Sequence, residues 1–370
     1  MKSALRANLL VLALFVAASP VMAGEPQVTL HFKDDEPTLL NRPLSEFKDI
    51  VRSIGFWHDA TYVGTYGSGL MVLDAKGGLS TLTSSTSKLT ENRVNCLEPA
   101  GDDLWIGTCN GIDRVDGHSG AWTHIGVKDG VAHNIYHVIR QDSLGRVWVG
   151  TTGKGLSRFD GKAWMSWTEK DGLPSGWIND VVEDGQGRMW AATAGGLVHL
   201  EDGRWKLVPP SGNNGKIWSH ATALAVRGVE IWVGTGSQGL LMTDGTYWYA
   251  PGSEANLPSR EISALLVDRA GTLWVGTSKG LASYGAGTGG AGTGAGAAWR
   301  HYGPAEGPDD PHVMILREGG SPSRVWAGSY GGQVYRLEPD RGRWVTVLRK
   351  GALALSRSGQ GESAGGGTSK

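Results

Sequence analysis

Charge is scarce in this sequence. Of 370 residues only 19% are Asp, Glu, Lys or Arg, and the formal net charge is -1. Nucleic-acid binding normally needs a basic face or stripe, so DNA and RNA are not expected partners. Cysteine is scarcer still: Cys96 and Cys109 are the two in the chain. Long apolar runs are also missing. The run from Leu9 to Ala18 is about ten residues, where a bilayer span needs roughly 20, so no membrane span is expected in the mature chain.

That short run has another reading. Lys2 and Arg6 precede it and Val21-Met-Ala23 follows as a small-residue cleavage site, so residues 1–23 read as a secretory signal peptide. The expected location is periplasmic or secreted. No cysteine sits just after the cleavage site, so a lipid anchor is not indicated.

Glycine and tryptophan, by contrast, are plentiful, at 58 and 16 residues, and they recur in step. One phrase appears seven times: Tyr62-Val-Gly-Thr65, Trp105-Ile-Gly-Thr108, Trp148-Val-Gly-Thr151, Trp190-Ala-Ala-Thr193, Trp232-Val-Gly-Thr235, Trp274-Val-Gly-Thr277 and Trp326-Ala-Gly-Ser329. Successive copies begin 43, 43, 42, 42, 42 and 52 residues apart. A period of about 40 to 45 residues built from short strands marks a propeller, in which one small sheet is repeated around an axis. The expected fold is all-β: a seven-bladed β-propeller over residues 47–350, with four antiparallel strands per blade.

The unit around Trp274 shows the strands. Glu261–Val267 is followed by a turn at Asp268-Arg-Ala-Gly271, then by Leu273–Thr277, a short loop and Gly280–Tyr284. Other copies continue through an Asp-Gly turn, as at Asp160-Gly161, into a fourth segment that carries an aromatic. These are strands a to d. Six tryptophans fall in strand b (Trp105, Trp148, Trp190, Trp232, Trp274, Trp326) and six at the start of strand d (Trp122, Trp164, Trp205, Trp248, Trp299, Trp344). Each blade must bury both faces, and a large flat side chain fills the wedge between twisted sheets, so these twelve are read as packing residues.

The remaining segments break the repeat. Residues 285–298 hold a Gly-rich insert in the turn between strands c and d of blade six, and residues 351–370 read as a disordered tail. Within residues 24–46, Gln27–Phe32 reads as a strand that closes the ring on the last blade, although Trp344–Leu348 could supply the same edge. Cys96 and Cys109 flank the turn at Gly101-Asp102 at similar distances. A hairpin brings them near one another, and a disulfide or two free thiols follow according to register, since a one-residue shift turns them to opposite faces.

The unit resembles the two-component regulator propeller repeat, whose consensus runs L-P-x-N-x-V, D-x-x-G-x-x-W-x-G-T and G-G-L-x-x-x-D. Leu173-Pro-Ser175, Asp184-Gly-Gln-Gly-Arg-Met-Trp190 and Gly195-Gly-Leu197 carry the resemblance, as do Leu257-Pro-Ser259 and Asp268-Arg-Ala-Gly-Thr-Leu-Trp274. It implies an extracytoplasmic ligand-sensing domain of a kind usually fused to a membrane helix and a histidine kinase. Nothing after residue 350 reads as either, so a sensing role is expected to use a separate partner such as a sensor kinase.

The d-to-a and b-to-c loops of a propeller share one face around the channel mouth, and residues there escape the packing duty of the repeat. Positions entering strand a carry Arg93, Ile135, Trp177, His220, Glu261 and His312; the b-to-c loops add Tyr66, Lys154, Gln238, Lys279 and Tyr330. Trp57, Trp167, Trp177 and Trp218 fall outside the tryptophan register, three of them in or beside d-to-a connections. The candidate ligand-binding set is Tyr66, Arg93, Lys154, Trp177, Trp218, His220, Gln238, Glu261, Lys279, His312 and Tyr330, for a small ligand such as a carbohydrate or for an envelope protein.

Other apparent motifs carry less. Gly234-Thr-Gly-Ser-Gln-Gly239 matches G-x-G-x-x-G but joins two strands and opens no helix. His133 and His137 lack further ligands for a metal set. The Asp-x-x-Gly segments read as turns, with a calcium loop as the alternative. No cofactor is implied, and no catalytic set assembles. Two further readings stand beside the binding module: a lyase similar to the streptogramin B lyases, in which His220 and His312 would act with magnesium, and a scaffold within an envelope complex.

Overall fold

The computed structural model describes residues 49–209, 220–250, 256–285, 298–303, 305–339 and 342–354. Seven antiparallel sheets follow one another along the chain, six of four strands and the last of five. Strand a of each blade lines the axis: Val51–Trp57, Val94–Ala100, Tyr136–Gln141, Ile178–Glu183, Ala221–Arg227, Ile262–Val267 and Val313–Gly319. The chain is a seven-bladed propeller. Strands c and d of blade six, Gly280–Gly285 and Ala298–Tyr302, flank the Gly-rich insert, most of which lies outside the described residues. Residues 1–48 and 355–370, which hold the expected signal peptide, closing strand and tail, lie outside them too.

Each residue of the repeated phrase has a physical task. The threonine hydroxyl at Thr108, Thr151, Thr235 and Thr277 donates to a carbonyl across the b-to-c turn at 2.7–2.8 Å and accepts a loop amide, so it pins the hairpin from inside. Its glycine faces the first residue of strand a in the next blade. A Cβ at Gly150, Gly234 or Gly276 would stand 2.6–2.7 Å from a methyl of Ile178, Ile262 or Val313. Blade four has Ala192 instead, and the next strand a opens with Ala221 rather than a β-branched residue; the two alanines share one buried cluster. A methyl gained on one side is matched by methyls lost on the other.

The Asp-x-x-Gly turn holds the tryptophan. In blade four, Asp184 accepts the amides of Gln186 and Arg188 through Oδ1, and Arg188 Nε (2.6 Å) and Trp190 Nε1 (2.8 Å) through Oδ2. Asp142 does the same for Arg146 and Trp148 in blade three, and Asp268 takes Trp274 Nε1 at 2.7 Å. A buried indole N–H without an acceptor would cost about 1–3 kcal/mol, which explains the six-residue spacing from Asp to Trp.

All six strand-b tryptophans are buried, whereas among the strand-d set Trp205 and Trp344 are buried and Trp122, Trp164, Trp248 and Trp299 are half-buried. Trp167, expected as an irregular residue, belongs to the core. It ends strand d of blade three, stacks on Trp148 with ring centroids 5.4 Å apart and meets Trp205 edge-on. Trp57 lies at the other end of strand a from the mouth, stacked on His58.

Cys96 and Cys109 are both free. The register sets Cys96 opposite Gly107 and places Cys109 one residue past the end of strand b, so the hairpin does not face them together. Trp344–Leu348 belongs to blade seven's own fourth strand, while the reading of Gln27–Phe32 as a closing strand falls outside the described residues. The ring closes face to face: Val51, Ile54, Val63 and Met71 of blade one pack on Trp326, Val334 and Leu348 of blade seven.

Candidate binding site at the channel mouth

Every strand a carries an irregularity at its second residue, where the ladder to strand b skips a position. A bulge re-aims the side chain. Here it turns Arg52, Asn95, His137, Asn179, Thr222, Ser263 and Met314 into the channel, where all seven line one cavity of about 170 Å³. On one side these residues sew blades together. Asn179 Nδ2 donates to the Ala221 carbonyl at 2.6 Å, Thr222 Oγ1 to Ile262 at 2.7 Å, and Ser263 Oγ to Val313. On the other side, from blades seven, one and three, stand the larger Met314, Arg52 and His137.

Above that second group lies an apolar cluster. Ile50 and Tyr66 are buried there, with Ile135, Trp177, Met314 and Tyr330 packed against them. The loop backbone fixes them by one repeated bond, in which the residue before strand a accepts from the residue after the phrase: Ile50 from Tyr66, Trp177 from Ala194, His312 from Tyr330. His312 stacks on Tyr330 with centroids 5.0 Å apart and planes 7° apart, and His137 meets Trp177 edge-on at 5.4 Å.

The expected residues therefore separate into groups. Tyr66, Trp177 and Tyr330 converge in the apolar cluster, while His220, Glu261 and His312 line the channel cavity. Arg93 sits at the rim, held by Glu91 at 2.7 Å. Lys154, Gln238 and Lys279 do not line the cavity: their amides bond the phrase threonines, and the two lysine side chains are exposed on the loops. Trp218 lies outside the described residues. The reading from sequence missed the seven bulged residues and a charged waist below them. There Arg140 lies 3.7 Å from Glu98 and 3.2 Å from Asp180, and Arg317 completes the group.

Electrostatics follow from enclosure. Burial lowers the pKa of His220 and of His312, the latter opposed by Glu261 and Asp310, and lowers His137 well below the usual imidazole value with help from the Arg52 charge. Burial, aided by Cys109 and opposed by Arg93 and Arg52, pushes the Tyr66 phenol up to about 12. Mouth and channel thus present neutral imidazole and phenol groups near pH 7, suited to hydrogen bonding beside aromatic faces. His220 has φ of 69°, a left-handed conformation uncommon for a side-chain-bearing residue and often found where a site holds a residue in place. Among the described residues no three His, Cys, Asp or Glu side chains gather closely enough to hold a metal ion.

Comparison with known proteins agrees with this architecture. The family described as two component regulator propeller matches residues 130–153, 172–195 and 256–279, which run into and through strands a and b of blades three, four and six. No curated protein matches the sequence. Among solved structures, the extracellular domain of a protein described as a one component system of B. thetaiotaomicron is 18% identical, with a TM-score of 0.50, over 86% of this chain and 48% of that one. The chain thus spans about half of that domain's length. Virginiamycin B lyase from Staphylococcus aureus is 10% identical, with a TM-score of 0.58, over 78% and 94% of the two chains. An ancestral GH74 enzyme is 13% identical, with a TM-score of 0.61, over 83% and 47%. At these identities the likeness is one of fold. No helix among the described residues is long and apolar enough to cross a membrane.

Proposed function

We propose that this chain, a seven-bladed propeller carrying two component regulator propeller repeats, is a sensor-like binding module that works outside the cytoplasm and takes a small ligand at its channel mouth. The observation that carries this reading is the convergence of Tyr66, Trp177 and Tyr330, from three different blades, above a channel lined by neutral histidines. Aromatic faces with polar edges suit a ligand that has one apolar face and hydroxyls around its rim, as a carbohydrate does. The extracytoplasmic location rests on the signal-peptide reading and on the extracellular origin of the B. thetaiotaomicron domain. A response would pass to a separate protein, such as a sensor kinase.

The test is tryptophan fluorescence and thermal shift against mono- and oligosaccharides, short peptides and divalent salts. A saturable response that weakens at least tenfold in Trp177→Ala supports the reading. Absence of stabilisation by every compound, together with stoichiometric recovery of an envelope protein by pull-down, favours the scaffold instead. The lyase reading draws on a narrower observation: His220, Glu261 and His312 line one wall of the channel, and the Glu261 charge acts on His312. It requires turnover that disappears in His220→Ala or His312→Ala.

A further inference from the structure

A second cavity, larger than the one at the mouth, lies at the other end of the channel. It has a volume of about 860 Å³ and is bounded by the a-to-b turns of blades one, six and seven and by the a strands of blades one, two and seven. Two features of sequence open it. Strand a of blade one has Gly55 at the position where blades two and seven carry Glu98 and Arg317. The a-to-b turn of blade seven spans Gly320–Ser323 between paired Gly319 and Arg324, whereas blade one turns within His58-Asp59. The resulting volume falls in the range of small-molecule sites, roughly 300–1,000 Å³.

Five acidic and four arginine side chains line this cavity, but they are not equally committed. Glu98 faces Arg140 at 3.7 Å and accepts the Gln141 amide. Glu318 accepts the Arg269 amide and the Ser323 hydroxyl, Asp74 accepts two amides of its own turn, and Glu338 takes two bonds from Arg336. Asp59 stands exposed at the edge. The other three arginines spend little of their capacity. Arg317 Nη1 donates to the Leu316 carbonyl at 3.3 Å and Arg324 Nη1 to the Ser323 carbonyl at 3.0 Å, while the Arg269 guanidinium makes no hydrogen bond among the described residues. Each guanidinium has five N–H donors, so Arg317, Arg324 and Arg269 keep most of their donors unused, in a lining where carboxylates outnumber arginines five to four. Burial and the like charge of Arg140 push the Arg317 pKa down to about 10, against Glu98 and Asp180. An anion beside it would relieve that penalty.

We propose that this cavity binds a small polyanion, a molecule bearing carboxylate or phosphate groups, through Arg317 at its inner end and Arg324 and Arg269 at its rim. A planar guanidinium engages both groups through paired N–H donors. Phe56 and Trp326 supply apolar wall. The site is separate from the mouth; Arg317 alone among the three also lines the channel cavity.

Isothermal titration with citrate and with inorganic phosphate, at constant ionic strength, tests it. Saturable one-to-one binding of either probe is expected, weakened at least tenfold in Arg317→Gln and in Arg324→Gln and unchanged in Trp177→Ala and in the distant surface variant Lys162→Gln. Preference for citrate assigns a polycarboxylate, and preference for phosphate a phosphate ester. Should Arg317→Gln fail to fold, Arg324→Gln and Arg269→Gln at the rim carry the test. The proposal is overturned if neither probe gives saturable heat, if both rim variants bind as the unaltered protein does, or if Lys162→Gln weakens binding as much as they do. Failure of the mouth to bind its ligand would leave these results untouched.

Discussion

At the scale of single residues, Asp184 does more than any glycine or tryptophan of its blade. Its carboxylate is fully enclosed and receives two amides, a guanidinium and an indole, so removing it strands the buried Trp190 indole N–H together with three part-buried donors. Asp184→Ala is expected to cost about 3 kcal/mol, from roughly 1–3 for the buried indole N–H plus a smaller share for the part-buried donors, read as a lower urea midpoint at unchanged slope. Burial opposes its ionisation, yet the bonds from Trp190 and Arg188 outweigh that and lower its pKa. Its contribution is thus complete above the unfolded carboxylate pKa of about 4 and is lost as pH falls through the lower folded value. Ala192 and Ala221 give a sharper test. Ala221→Val should clash with the Ala192 methyl and cost about 1–3 kcal/mol, and adding Ala192→Gly should recover part of that loss. Strict additivity in the double-mutant cycle would show that the two positions do not share space. The sequence displayed both departures, Trp190-Ala-Ala-Thr193 and Ala221, but nothing in it said that they touch, because the contact joins different blades.

At the scale of elements, strand a shows where reading by pattern stops. The period located all seven strands a, and alternation would then assign faces residue by residue; a bulge at the second position resets that alternation in every blade. The residues placed in the loops beside the strand, Tyr66, Trp177 and Tyr330, were legible, since loop position needs no register. Arg52 and His137, one step inside, were not. His137 provides a consequence to measure. Its folded pKa lies well below the usual value near 6.5, so between the two values the unfolded chain binds more protons and stability rises with pH. Acidification from pH 7.5 to 5.5 should therefore destabilise the protein, with His137 adding at most about 1.4 kcal/mol per pH unit. His133, His199, His220 and His312 are shifted in the same direction. In His137→Gln the slope of stability against pH over this interval should become shallower; an unaltered slope would mean that this imidazole is not held neutral by the fold.

At the scale of the whole molecule, the open matter was how the ring closes. A propeller can close its ring by lending one strand across the ends, and the sequence of Gln27–Phe32 suits that role. Among the described residues, blade seven has its own four strands and a short fifth, and meets blade one through the same kind of apolar seam that joins other neighbouring blades. Ile54 in that seam and Ile139 between blades two and three occupy the same place in strand a and are equally buried. If closure is by packing, Ile54→Ala and Ile139→Ala should each cost about 2–5 kcal/mol, and the closing seam should be no weaker than an internal one. A chain starting at residue 47 should then unfold within about 0.5 kcal/mol of one starting at residue 24, as expected for removal of a segment that adds no core. A loss of several kcal/mol on that truncation, with Ile54→Ala nearly silent in the shortened chain, would show that the N-terminal segment closes the ring. Each blade would then depend on its neighbours everywhere except at the join, and unfolding would begin there rather than as one transition of the whole ring.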